Sequence, residues 1–170
     1  VCVSTQVGCK LGCDFCFTGT LGFKRDLGWH EISAQVLAVS QYVGSVQSQG
    51  EGPKSGTAPD LSLSPFPFPL ITNVVFMGMG EPFLNYDATI EAARTINAES
   101  GLGIGARRIT ISTSGIPDGI RAFTQLPQQF RLALSLNASD DETRSTLMPV
   151  NRIHPLKEVM AAIRAYTDAK

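Results

Sequence analysis

The sequence predicts an α/β fold in which four βα units follow one another around a parallel sheet. Two observations carry that reading. Short apolar runs of strand length recur along the 170 residues: VCVSTQV (1–7), TNVVFM (72–77), RITIS (108–112) and RLALSL (131–136). Each is followed by a stretch with apolar residues at helical spacing, and such alternation calls for parallel strands joined by crossover helices. Four units do not close a barrel. The pattern fits either a small open sheet or the first part of a (β/α) TIM-type barrel.

Taken in order, HEISAQVLAVSQYV (30–43) puts Ile32, Val36, Val39 and Val43 on one helical face. Composition then changes. Residues 45–70 hold five of the ten prolines and five serines, which predicts a flexible insertion, with PFPFP at its end suited to a surface loop. The strand at 72–77 is broken by GMGEP. A helix over 86–98 follows, with Ile90, Ala93 and Ile96 inward and Asn85 as candidate cap. IPDGIRAFTQL follows the third strand. After the fourth, Ser139 and Glu142 stand at capping-box spacing. Pro155 suits the first turn of a last helix, whose Leu156, Val159, Met160 and Ile163 form an apolar stripe.

Hydrophobic residues make up 43% and charged residues 17%, a composition that supports a packed core and argues against disorder. The net charge of −1 gives no global basic field, so any RNA contact must come from a local patch. No run of about 18 apolar residues marks a membrane span. VCVSTQ has neither the charged nor the apolar region of a signal peptide. The chain lacks an initiating Met and stops at YTDAK inside a predicted helix, which reads as a piece of a longer protein.

All four cysteines, Cys2, Cys9, Cys13 and Cys16, lie in the first 16 residues. They are too close together to staple distant parts of a large core as disulfides would. Four thiolates could close a zinc site around the Cys13–Cys16 pair, although structural zinc usually joins two separated pairs. A redox C-x-x-C would leave Cys9 unexplained. The C-x₃-C-x₂-C spacing of Cys9, Cys13 and Cys16 also suits a [4Fe–4S] cluster held through three irons, its fourth open to a substrate, with Phe15 as an apolar shield.

C-x₃-C-x-F-C just after a first strand resembles the signature of the radical S-adenosylmethionine (radical SAM) superfamily. The βα repeat is similar to that superfamily's partial barrel. VCVSTQVGCKLGCDFCFTGTLGFKRDL, FMGMGEPFLN, RRITISTSG, ALSLNA and LMPVN stand in the order found in the dual-specificity adenine-C2 methyltransferases of large-subunit ribosomal RNA and transfer RNA. The resemblance covers the chain outside 45–70.

The resemblance implies a role for each motif. Cys9, Cys13 and Cys16 become the cluster ligands. Gly80 and Glu81 bind the methionine amino end of S-adenosylmethionine, a carboxylate facing an ammonium where glycine lets the backbone approach. Ser112, Ser135, Leu136 and Asn137 become further cofactor contacts at strand C-termini, where barrel enzymes gather their sites. Many relatives have His where Asn137 stands. Cys2 takes the place of the catalytic cysteine, which resolves a covalent RNA adduct through a disulfide with a second, methyl-carrying cysteine. That second cysteine belongs toward the C-terminus, and none follows Cys16 here. The resemblance further implies rRNA and tRNA substrates, a one-electron reductant such as flavodoxin or ferredoxin, a monomer, and a cytoplasmic or organellar location. Lys24, Arg25, Arg107 and Arg108 are candidate phosphate contacts. An adenine-C8 methyltransferase, another radical SAM enzyme and a zinc-binding interaction module are the alternatives, with GEP favouring C2.

Overall fold

A computed structural model describes residues 1–49 and 71–170. Three short strands, β3 (Val74–Phe76), β4 (Ile109–Thr113) and β5 (Arg131–Leu134), form a parallel sheet in that order. The first segment joins it on the far side of β3. Cys2 bridges Val75 in parallel, and the amides of Val3 and Val75 donate to Val75 and Val1 carbonyls at 2.9 and 2.8 Å. The predicted order of four parallel elements is therefore present, although the first makes one bridge instead of a full strand.

The rest of VCVSTQV departs from the expectation. Gln6–Val7 (β1) turns away and pairs antiparallel with Arg25–Asp26 (β2), Gln6 opposite Asp26 and Val7 opposite Arg25. This pair closes the neck of the loop that carries three cysteines and a four-residue helix, α1 (Phe17–Thr20). Gly8 enters the loop at φ +79°, where a Cβ would stand 1.7 Å from the Gly22 carbonyl oxygen. Only glycine fits that approach.

Helices α2 (Trp29–Gln49), α3 (Tyr86–Asn97), α4 (Pro117–Thr124), α5 (Asp141–Leu147) and α6 (Leu156–Ala169) alternate with the strands. α2 packs on α3 and α4 on α6. α2 continues to Gln49, into the segment read as an insertion, and the remainder of that segment lies outside the described residues. Its inward face is Ile32, Val36 and Ser40, whereas Val39 is exposed. The helix turns 100° per residue, so i, i+4, i+8 stay in line here and Val39 falls beside it. Ile90, Ala93 and Ile96 of α3 are buried as expected.

Three caps differ from prediction. Asn85 occupies the cap position of α3 without capping it, because its side-chain amide donates to the Thr5 and Leu27 carbonyls, both at 2.8 Å. Asp140 rather than Ser139 caps α5, accepting from the Thr143 amide at 2.8 Å. Pro155 precedes α6 as its cap residue instead of lying in its first turn.

β4 shows how the sheet divides its faces. Ile109, Ile111 and Thr113 are buried with Val74 and Phe76, while Thr110 and Ser112 point to the opposite side. Ile111 is fully buried at the centre of the core, and Ile111→Ala is expected to cost about 2–5 kcal/mol by urea denaturation.

Candidate active site

A cavity of about 400 Å³ opens at the C-terminal ends of the strands, within the roughly 300–1,000 Å³ typical of small-molecule sites. Cys9, Cys13 and Cys16 line one wall; Gly80 and Glu81 after β3, Ser112 on β4, and Ser135 and Asn137 after β5 line the other. Eight of the ten residues singled out from sequence thus share one cavity.

The other two do not line it. Leu136 is 39% exposed and contributes its backbone carbonyl, which accepts from Arg144 Nε at 3.0 Å. Cys2 is exposed. Its bridge to Val75, itself paired with Thr110, puts Cys2 on the sheet face that carries Ser112, two residues short of it along the strands. Phe15 lines the cavity while remaining 57% exposed, so it covers the cysteines only in part.

Glu81 is the centre of the polar wall. It is buried, and its oxygens accept from backbone amides, Oε1 from Phe83 at 3.1 Å and Oε2 from Ser114 at 2.8 Å. Burial pushes its carboxyl above the usual range, against the hydrogen bonds from Ser114, Thr113 and Phe83. A cation entering the cavity would offset that desolvation. The turn that presents Glu81 needs Gly80 at φ +101°, where a Cβ would meet Gln6 Cβ and Cγ at 2.6 Å. Gly80→Ala is therefore expected to lower stability by about 1–3 kcal/mol, measured by denaturant midpoint.

Ser112 and Ser135 bring their hydroxyl oxygens to 3.4 Å. Asn137 holds φ +59°, a left-handed conformation in which Asn and His are both enriched, and its amide donates to the Met148 sulfur at 3.2 Å.

Several residues of the site escaped sequence reasoning. Gln6, fully buried at the loop neck, donates to Asp26 Oδ1 at 2.6 Å and accepts from the Glu81 amide at 3.0 Å, so it ties the cysteine loop to the GEP turn. Met148 lines the cavity, and the amide of Asp14 donates to the Leu147 carbonyl at 2.9 Å, pinning the cysteine loop to the end of α5. The LMPVN run was the available signal, but spacing could not say what it touches.

The donor set fits an iron–sulfur cluster. Burial pushes the Cys13 thiol up to about 11, with Cys9 and Cys16 adding to the rise, and burial raises the Cys9 thiol as well. Three mutually interacting thiols on one cavity wall can release their protons to iron. Among the described residues no three His, Cys, Asp or Glu side chains converge on a point suited to a single ion.

The sequence pattern of the radical SAM superfamily matches residues 68–170. The chain belongs to the radical SAM superfamily. The probable dual-specificity RNA methyltransferase RlmN 3 of Opitutus terrae is 44% identical over 168 residues, covering 99% of this chain and 41% of that protein. The dual-specificity RNA methyltransferase RlmN of Sorangium cellulosum is 45% identical over 166 residues, covering 97% of this chain and 37% of that protein. The chain thus spans about two fifths of these relatives. The crystal structure of a radical SAM methyltransferase from Sphaerobacter thermophilus aligns with TM-score 0.82 and 42% identity, over 99% of this chain and 43% of that one. The fold is accordingly part of the radical SAM (β/α) barrel. A [4Fe–4S] cluster and S-adenosylmethionine are its cofactors.

Proposed function

We propose that the protein containing this chain methylates C2 of adenine in large-subunit rRNA and in tRNA. The observation that carries the reading is the shared cavity. Three cysteines of one loop face a buried carboxylate and a serine pair, in a chain 44–45% identical to proteins named dual-specificity RNA methyltransferases.

Cys9, Cys13 and Cys16 hold the cluster. With S-adenosylmethionine bound, that centre supplies radical chemistry, which the electron-poor C2 of adenine requires because it is a weak nucleophile toward polar methyl transfer. Glu81 receives the cofactor's ammonium, Gly80 gives the backbone its close approach, and the Ser112, Ser135, Leu136 and Asn137 segment orients the remainder. Cys2, on the sheet face shared with Ser112, resolves the RNA adduct. The adenine reaches the site as an unpaired or flipped nucleotide.

Lys24 is exposed and suited to phosphate contact, whereas Arg107 and Arg108, also exposed, precede β4 and lie at the strand end opposite the cavity. Arg25 is less available. Its guanidinium is engaged by both Glu31 oxygens at 2.8 Å, which holds the Glu31 carboxyl down at about 2. Arg107 donates to Gln129 at 2.8 Å. A flavodoxin or ferredoxin serves as electron donor, and the enzyme acts as a monomer in the cytoplasm, or in an organelle if the source is eukaryotic. Among the described residues no helix is long and apolar enough to cross a membrane.

The test is nucleoside mass spectrometry of rRNA and tRNA after incubation with the full-length protein, S-adenosylmethionine and a reductant. 2-Methyladenosine in both is expected; 8-methyladenosine or unmodified adenosine overturns the reading. For the cofactor site, Glu81→Gln is expected to weaken S-adenosylmethionine binding by about 1.5–3 kcal/mol, with the cluster retained. Calorimetry on the reconstituted protein measures it.

A further inference from the structure

Arg144 is the largest fully buried side chain among the described residues, and its donors go to two backbone carbonyls and an amide oxygen. A buried guanidinium whose hydrogen bonds all go to neutral oxygens, with the Asp141 carboxylate acting on it only at longer range, is a poor device for stability, since an apolar side chain of similar volume avoids the desolvation cost. Its rigid fork is suited to fixing several acceptors in one geometry.

Those acceptors belong to the cofactor cradle. Arg144 Nη2 donates to the Ser114 carbonyl, and the Ser114 amide donates to Glu81 Oε2 at 2.8 Å. Nε donates at 3.0 Å to the carbonyl of Leu136, which stands between the cavity residues Ser135 and Asn137. Nη1 donates at 2.7 Å to Asn151 Oδ1, whose own amide is held by Asp141 and Ser145. Gly115, at φ +100°, leaves the room the fork needs, because a Cβ there would lie 3.2 Å from Nη2.

We infer that Arg144, steadied by Asn151, is a positioning residue that sets the two loops after β4 and β5 against each other and so aims Glu81 into the cavity. The inference rests on the proposed cofactor role of Glu81. It adds to the DETRSTLMPVN stretch, whose Leu147 and Met148 already meet the cysteine loop and the cavity, a role for Arg144 and Asn151. Arg144 does not line the cavity; it acts through Ser114 and Leu136.

The experiment uses the full-length protein with its cluster reconstituted anaerobically. S-adenosylmethionine affinity is read from the change it causes in the electron paramagnetic resonance signal of the reduced cluster. Arg144→Lys keeps the charge and loses the fork. It is expected to retain wild-type iron and sulfide and to bind S-adenosylmethionine about tenfold more weakly, the effect of losing one charge-assisted hydrogen bond. Combined with Glu81→Gln, the loss should fall well short of the product of the two single losses, because both act on one carboxylate. Wild-type affinity in Arg144→Lys, or losses that multiply fully, overturns the inference. Should Arg144→Lys fail to fold, Asn151→Ser removes the acceptor of Nη1 together with the amide's bonds to Asp141 and Ser145, and is expected to weaken binding about threefold; wild-type affinity there overturns it equally. If the unaltered protein fails to bind S-adenosylmethionine, or Glu81→Gln is without effect, the proposed cofactor site fails and the inference with it.

Discussion

Replacing Cys9, Cys13 or Cys16 by Ala in the full-length protein is expected to abolish the [4Fe–4S] cluster, with loss of bound iron, sulfide and the visible absorbance of the anaerobic protein. Each thiolate holds a different iron, so no neighbour can substitute. The three line one wall of the cavity, and Cys2, exposed beside β3, does not. Protons oppose loading. With the Cys13 thiol pushed up to about 11, the cluster-free Cys13 holds its proton at neutral pH and must lose it to bind iron. Apparent affinity should therefore rise as pH rises from neutral and fall on acidification. A full cluster in all three variants would remove the assignment.

Cys2→Ala is expected to give the opposite pattern in the same protein. The cluster remains and S-adenosylmethionine is still consumed, but methylation stalls with RNA covalently attached to the protein. The reason is the separation of roles. Cys2 stands on the same sheet face as Ser112 but outside the cavity lining, a place to meet the reacting base without coordinating iron. On the role proposed for Cys2, loss of its thiol leaves the methyl-carrying cysteine without a disulfide partner, and the adduct is not released. Mass spectrometry of nuclease-treated protein should find a retained adenosine nucleotide. Loss of iron from Cys2→Ala would instead make it a ligand and end the three-plus-one division.

Spacing carried the cysteine loop because that part of the site is local. Cys9, Cys13 and Cys16 share a loop whatever the fold does around them, and C-x₃-C-x₂-C limits what they can hold. The runs at 72–77, 108–112 and 131–136 were recognisable as strands from their length and their place between helical patterns; 72–77 is nearly continuous in apolar residues, whereas in 108–112 the buried Ile109 and Ile111 alternate with Thr110 and Ser112. Periodicity was less reliable at helix edges. Val39 fits the repeat and is exposed, while Ser40 lies buried, since packing against a particular neighbour selects the line.

Long-range hydrogen bonds were beyond any local pattern. Asn85 has the composition of a cap, yet carbonyls 80 and 58 residues away claim its amide. Gln6 reaches Asp26 on one side and the Glu81 amide on the other. Arg144 reads in sequence as an ordinary charge on a short polar helix; burial under the β4 and β5 loops gives it acceptors 8 and 30 residues away. Residue types and their spacing were sufficient for the βα order and the cysteine loop, while the grouping of Glu81, Ser112, Ser135 and Asn137, which share one cavity, came from the resemblance of their motifs to a family. Which carbonyl or carboxylate each buried donor serves depended on chain segments brought together only by folding. A buried polar group must find its partner wherever the packed chain supplies one.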